Sequence, residues 1–227
     1  MQRLFASALF SGLIVGLIAT ALQFGFVIPL LLEGELYESG ARLHFSATGS
    51  PQSPSGAPPY TAEHARHLLT VAFNMINYTA FGLFMVAGYA ILENRGQPIT
   101  QRDGLLWGIA GFAIVLMAPA FGLPPELPGT IAPEVGPRQA WWLGTVLATL
   151  AGILAISFVQ GTFPVIIGLA LILAPHIIGA PQLETYFGIA PPELSAHFVT
   201  RTLGVGLVAW LALGAFTAYF WNRPAAH

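Results

Sequence analysis

The chain has 227 residues, of which 55% are hydrophobic and only 8% are charged, and its formal net charge at pH 7 is -2. This balance lies outside the range of ordinary soluble domains and predicts an integral membrane protein. The absence of cysteine excludes a disulfide framework and a cysteine metal cage. Every basic residue is arginine, so a Walker-type phosphate loop is excluded, and without a basic patch nucleic acid is not an expected partner.

Long uncharged runs along the chain predict about six transmembrane helices. The first run covers residues 4–32, and about 20 apolar residues already cross the hydrocarbon core of a bilayer. This run is too long for the apolar region of a secretion signal, so we expect an uncleaved span. The predicted spans are residues 4–32, 68–92, 104–122, 140–160, 163–179 and 197–221. The expected fold is an all-α polytopic membrane helical bundle that forms one integral membrane domain over residues 1–227.

Short and long loops alternate between these spans, so the long loops are expected on one face of the membrane. The first long loop contains a tract rich in serine, glycine and proline, and we expect residues 39–62 to be flexible. Each outgoing span ends near a proline and each returning span opens near an arginine. This weak repeat indicates three helical hairpins.

The distribution of charge favours an orientation with both termini in the cytoplasm. Four arginines lie beside span ends on the face of the short loops: Arg3, Arg95, Arg102 and Arg223. Positive charge close to span ends tends to stay inside, which predicts a multi-pass protein with cytoplasmic termini. All acidic residues except Glu93 and Asp103 fall on the other face. That acidic outer face would raise the local concentration of cations.

His176 is the strongest candidate for a metal ligand. It follows Pro175 near the outer end of an apolar span, where an ionisable residue suggests function by default. The proline frees a backbone carbonyl nearby. Glu126 stands in a similar place, after prolines at the end of another span. We expect imidazole, carboxylate and freed carbonyls to converge there on a divalent ion, the alternative being that His176 only packs or hydrogen-bonds between helices.

A second group of candidates lies around the first long loop. His64 and His67 are three residues apart, which on a helix puts both imidazoles on one face, in a geometry that suits cobalt, nickel or zinc. Glu35 belongs to an acidic cluster where the first span emerges, and it is a further candidate ligand. The alternative for these residues is that they are solvated side chains at the membrane interface.

Several long segments together resemble the CbtA family of cobalt transporter subunits. The most specific is Gly-Leu-Pro-Pro-Glu-Leu-Pro-Gly at residues 122–129, supported by residues 29–38, 104–112, 138–142 and 174–182. The resemblance implies a small partner, CbtB, with a single span and a histidine-rich end. Family members often carry a histidine-rich tract in the first outer loop, whereas this chain has only His44, His64 and His67 there.

The expected function is therefore transport of cobalt, or another divalent transition-metal ion, across the bacterial cytoplasmic membrane. No enzymatic activity, catalytic residue or permanently bound cofactor is expected, and the metal would be cargo. The expected partners are membrane lipid, a CbtB-type subunit and further copies of the chain in a homo-oligomer. Two alternatives stay open: a scaffold or assembly subunit of a larger complex, and a haem- or quinone-linked redox protein that uses His176 with His67 or His197.

Overall fold

A computed structural model describes residues 2–44, 48–50, 53–60, 63–185 and 188–223. Every regular element in these ranges is helical. In chain order they are α1 (Gln2–Phe26), α2 (Ile28–Glu38), α3 (His64–Asn94), α4 (Gln101–Phe112), a π-helical turn (Ala113–Met117), α5 (Ala118–Ala120), α6 (Val135–Phe158), α7 (Thr162–Ile178) and α8 (Pro192–Trp221).

The predicted all-α polytopic class is confirmed. Within the described ranges, five segments are long and apolar enough to cross a membrane: Gln2–Phe26, His64–Asn94, Gln101–Ala120, Val135–Phe158 and Pro192–Trp221. The sixth predicted span is the shorter apolar helix Thr162–Ile178, whose 17 residues lie at the lower limit for a span. Large apolar side chains such as Phe73, Phe84 and Ile177 remain well exposed, as expected for a surface that meets lipid.

In the first predicted span, residues 4–32, the helix is interrupted at Val27. The span therefore consists of two helices. Pro29 has no amide hydrogen for the carbonyl of Gly25, so the helical ladder cannot continue through it. The chain restarts at once as α2, with the proline in its first turn, and α2 runs on to Glu38. The outgoing helix is therefore longer than predicted and interrupted.

The third predicted span, residues 104–122, begins slightly earlier and changes helical type before it ends. At its start the Thr100 backbone N–H donates to Asp103 Oδ2 at 2.8 Å, and the Thr100 hydroxyl accepts the Asp103 N–H at 3.2 Å. This reciprocal pair is a capping box, which satisfies amides that the first turn leaves unpaired. Near its end the π-helical turn precedes Pro119, which cannot donate to the carbonyl of Val115.

The chain divides into two compact units. Unit 1 contains Met1–Phe26, Pro59–Phe112 and Gly204–His227, and unit 2 contains Val27–Pro58 and Ala113–Leu203. The expectation of a single integral membrane domain stays a prediction. Each unit is held together by its own set of close helix contacts.

In unit 1, α1 packs along α3 through small residues, as the first predicted hairpin requires. A Cβ added to Gly12 would lie 2.3 Å from Thr79 Cα, and one added to Gly16 would lie 2.6 Å from Met75 Cα. Side chains are thus excluded at these positions, and the backbones approach closely. The small-residue face of α1 predicts either packing within the bundle or a homodimer surface. In the structure this face packs against α3 of the same chain.

Polar contacts inside unit 1 join its helices at two levels. Asn74 of α3 donates to Thr20 Oγ1 at 3.1 Å and to Gln23 Oε1 at 2.8 Å, both on α1. Further along α3, the buried Tyr89 hydroxyl lies 3.2 Å from Thr217 Oγ1 of α8. Buried polar groups between membrane helices need such partners, because lipid offers none.

In unit 2, α6 packs against α7. The connecting string at residues 122–129, between α5 and α6, contacts α2 and the segment after α7. The two helices approach closely at Gly152 and Gly168, where a Cβ on either would meet the other's carbonyl oxygen at 2.6–2.7 Å. Within the string, Leu127 is only 3% exposed and packs beside Gly34 of α2. The Gln182 amide donates to the Gly122 carbonyl at 3.0 Å. The π-helical turn and α5 contact α6, in agreement with the second predicted hairpin.

The first outer loop is anchored by Glu33, a buried residue of α2. Its carboxylate Oε1 accepts a hydrogen bond from Arg42 Nη1 at 3.0 Å and another from the Gly56 N–H at 2.8 Å. The Leu43 N–H also donates to Ser53 Oγ at 3.1 Å. Part of the predicted flexible loop at residues 39–62 lies outside the described residues, and its flexibility stays a prediction.

Candidate functional site

The last turn of α7 carries His176 directly after Pro175. The imidazole is half-buried and lies edge-on to Trp141 of α6 and to Phe121 after α5, with ring centroids 5.9 Å away in each case. The helix ends at Ile178, and Gly179 adopts a φ of +85°, which L-residues with side chains rarely adopt. His176 therefore sits between two aromatic rings rather than in an open lipid-facing position.

Trp141 fixes the position of this turn through its indole N–H. The Nε1 atom donates to the Pro175 carbonyl at 3.0 Å, and the Gly179 backbone N–H donates to the same oxygen at 3.0 Å. Because Pro175 has no N–H, the Leu171 carbonyl four residues earlier has no helical donor. Pro175's own carbonyl is thus fully engaged, and α7 is held against α6 beside His176.

A cavity of about 730 Å³ opens beside His176 within unit 2. Its wall comes from the π-helical turn, α5, α6, α7 and the segment after α7. Most lining side chains are apolar, with His176, Trp141, Thr149 and Gln182 providing the polar groups. Cavities of this size with a few placed polar groups are typical of binding sites for small ligands.

Glu126 is not among the residues that line this cavity; it forms an ion pair with Arg138. Its Oε2 atom lies 2.6 Å from Arg138 Nη2, and both side chains are partly exposed. Arg138 and Trp141 are three residues apart on α6, so the first turns of this helix carry the partners of both Glu126 and His176. The carboxylate already has a matched positive charge, with which a metal ion would compete.

His64 and His67 lie in the first turn of α3 in unit 1, four residues before the start of the predicted span at residue 68 in the case of His64. His64 is exposed. His67 is half-buried, and its ring makes edge contacts with Phe24 at 5.1 Å and Tyr60 at 6.1 Å between centroids. The two imidazoles thus have different surroundings, one open to solvent and one held in an aromatic cluster.

The acidic residues at the end of the first predicted span also differ from one another in burial. Glu35 is half-buried on α2, Glu38 is exposed, and Glu33 is the buried partner of Arg42. Because Arg42 compensates the charge of Glu33, the net attraction of this carboxylate for cations is reduced.

In the part of the chain that the structure describes, no three His, Asp or Glu side chains come together as a metal-holding group. The assignment of His176, Glu126, His64, His67 and Glu35 as metal ligands therefore stays a prediction.

Sequence reasoning missed the residues that surround His176. Neither Trp141 nor Thr149 was predicted to have a part in a site, and the pairing of Arg138 with Glu126 was not predicted either. One pattern could have pointed to them: Trp141, Thr145 and Thr149 recur every four residues and so share one face of α6. No pattern on α6 alone identifies the partner helix.

Together, the apolar helices and the close glycine contacts define a multi-pass helical membrane protein, and His176 lies at a cavity within it. A family model described as CbtA, probable cobalt transporter subunit, matches residues 1–222. The chain belongs to the CbtA family. As a subunit, it is expected to work with a partner in a transporter complex. No curated protein and no solved structure matches the chain.

Proposed function

We propose that this chain is the membrane-embedded permease subunit that moves a divalent transition-metal ion, cobalt first among them, across the bacterial cytoplasmic membrane. The proposal is carried by His176, a half-buried imidazole at the edge of a cavity in a chain of the cobalt transporter family. Neutral imidazole is a good ligand for cobalt(II) and nickel(II). No enzymatic step is part of the proposal.

The few charged ligands near His176 suit transport better than storage. A permeation site must bind its ion strongly enough to admit it and weakly enough to release it. One imidazole, with no carboxylate among the described residues of the cavity wall, gives weak and reversible binding. Exposed acids such as Glu38, together with Glu35 and the α3 histidines, would gather cations at the outer face, where screening by about 0.1 M salt limits their reach to about 10 Å.

The remaining parts of the proposal follow from the family and the sequence. The termini are placed in the cytoplasm, the first outer loop outside, and a single-span CbtB-type subunit beside this chain as its partner. Oligomerisation with further copies would use a surface other than the small-residue face of α1, which α3 already covers.

The test measures accumulation of cobalt, nickel, zinc and manganese in cells with and without the protein. His176→Ala is expected to abolish uptake while the protein stays inserted and abundant, because the variant lacks the imidazole that would bind the metal. His197→Ala, which removes an exposed histidine from the first turns of α8, is the matched control and should transport normally.

Normal cobalt uptake by His176→Ala at wild-type expression would remove this residue from the ion path. Uptake that requires a second subunit and is unaffected by His176→Ala would favour a scaffold role for this chain. A Soret absorption band on the purified protein would favour the haem alternative.

A further inference from the structure

Thr149 is a buried side chain in the wall of the His176 cavity whose hydroxyl has no hydrogen-bond partner. The residue is only 3% exposed, and its Oγ1 atom is buried and unpartnered in the described part of the chain. It lines the same cavity as His176. A buried hydroxyl without a partner costs free energy, so its presence beside a cavity indicates a ligand that satisfies it.

The contrast with Thr145, one turn earlier on the same face of α6, strengthens this reading. Thr145 is also fully buried, but its hydroxyl donates to the Trp141 carbonyl at 2.8 Å. Threonine in a helix commonly satisfies itself this way. Thr149 does not, and of the two only Thr149 lines the cavity. The two threonines therefore differ in whether the hydroxyl has a hydrogen-bond partner, and the one without a partner is the one that lines the cavity.

The chemistry of the wall limits the form in which a metal ion can occupy the cavity. No acidic residue lines it within the described ranges. Stripping a dication of its water in such apolar surroundings would cost far more than one imidazole returns. The cavity volume of about 730 Å³ leaves ample space for an ion with six waters, which occupy about 180 Å³ at about 30 Å³ each.

We propose that the cavity takes the divalent ion as a hydrated complex, in which His176 replaces one water and the Thr149 hydroxyl accepts a hydrogen bond from another metal-bound water. This proposal rests on the proposed transport function and deepens it. A hydroxyl is a poor direct ligand for cobalt(II) but a good acceptor for the polarised O–H of a bound water. Thr149 is thus a positioning residue that acts through the water of its cargo.

The experiment compares Thr149→Val with Thr149→Ser and with Thr145→Val. Valine has nearly the shape of threonine without the hydroxyl, and serine keeps the hydroxyl. We expect Thr149→Val to raise the cobalt KM for uptake, and the Kd of the purified protein for cobalt(II) alone, about tenfold. Thr149→Ser should bind within about twofold of the wild type, and Thr145→Val should leave cobalt affinity unchanged.

Thermal unfolding of the purified proteins separates this role from a structural one. Because the Thr149 hydroxyl has no partner in the free protein, Thr149→Val is expected to unfold at the same or a higher temperature than the wild type. Thr145→Val loses a hydrogen bond and should unfold at a lower temperature. Lost affinity together with retained stability is an outcome that packing alone would not give.

Cobalt(II) absorption checks the hydrated state directly. A six-coordinate ion that keeps most of its waters gives only weak visible bands, and that spectrum is expected on binding. An intense four-coordinate spectrum would overturn the proposal, as would wild-type affinity in Thr149→Val or tenfold weaker binding in Thr149→Ser. If His176→Ala is inactive while Thr149→Val is normal, the hydrated-ion proposal fails and the transport function stands. If both transport normally, the site itself is wrong.

Discussion

At the residue scale, Glu33 shows that an ion-pair partner changes the role that a carboxylate can have. From sequence it belongs to an acidic cluster that would attract cations, but it is only 6% exposed and ion-paired with Arg42 at 3.0 Å. It also accepts the Gly56 N–H, so one side chain holds two separate points of the first outer loop. Its role in the structure is to fasten the loop to α2.

Glu33→Gln is therefore expected to destabilise the protein by about 2 kcal/mol, because it leaves Arg42 without its buried counter-charge. The measurement is thermal unfolding in detergent, together with the rate of proteolysis in the loop. Glu38→Gln is the matched control: its side chain is exposed, and the variant should unfold like the wild type. Equal loss of stability in the two variants would show that Glu33 does not anchor the loop.

The sequence identifies His176 as a candidate ligand, but it does not predict the residues that surround it. An imidazole after a proline in an apolar run is visible from the residue order alone. The indole that contacts it, Trp141, is 35 positions earlier, and the pairing of Glu126 with Arg138 depends on how the connecting string folds back on α6. Such contacts between distant residues arise from packing, which a single sequence without a known partner helix does not encode locally.

At the scale of elements, small residues decide how closely helices pack. In α1 they face α3, and the tight contacts at Gly12 involve backbone atoms of Thr79 that cannot rotate away. Gly25, on the same helix, has no atom within 4 Å of an added Cβ. The same residue type is thus essential for packing at one position and replaceable at another.

Gly12→Ala is expected to lower stability by about 2 kcal/mol through overpacking against α3. Gly25→Ala should change stability by less than about 0.5 kcal/mol, or raise it slightly, since alanine favours the helix. Thermal unfolding of both variants, with retention during purification as a second reading, makes the comparison. If Gly12→Ala were as stable as Gly25→Ala, α1 and α3 would not be in close contact.

Helices were more predictable than their interruptions. Uncharged runs of about 20 residues mark spans because hydrocarbon excludes charge, and all six predicted segments are helical. The break at Val27 and the π-helical turn at Ala113–Met117 were not predicted. A proline shows that a helical hydrogen bond is lost, but whether the chain breaks, bends or takes up an extra residue depends on the neighbouring helices.

At the scale of the whole molecule, the two ends of the described chain meet within unit 1. Arg3 at the start of α1 donates to the Trp221 carbonyl at the end of α8 at 2.6 Å and lies over its ring. Arg3 also pairs with Glu93 at the end of α3, at 3.0 Å. An even number of crossings, which brings both ends to one face of the membrane, agrees with these contacts.

Single cysteines test which face that is, and because the chain has no native cysteine, a label on it can lie only at the introduced position. Ser55 in the first outer loop and Gln97 in the loop after α3 are both exposed. We expect Ser55→Cys to react with an impermeant thiol reagent added to intact cells, and Gln97→Cys to react only after lysis. Labelling of Gln97→Cys from outside would reverse the proposed orientation.

The two hydrogen bonds to Glu33 also bear on how the outer loop can change over evolution. Since Arg42 and Gly56 are held at one carboxylate, the chain between them is a closed sub-loop whose two ends stay in place whatever its length. Doubling the length of such a loop costs only about 0.6 kcal/mol in closure entropy. Relatives are thus free to lengthen this segment and alter its composition, including the addition of metal-binding tracts, without disturbing α2.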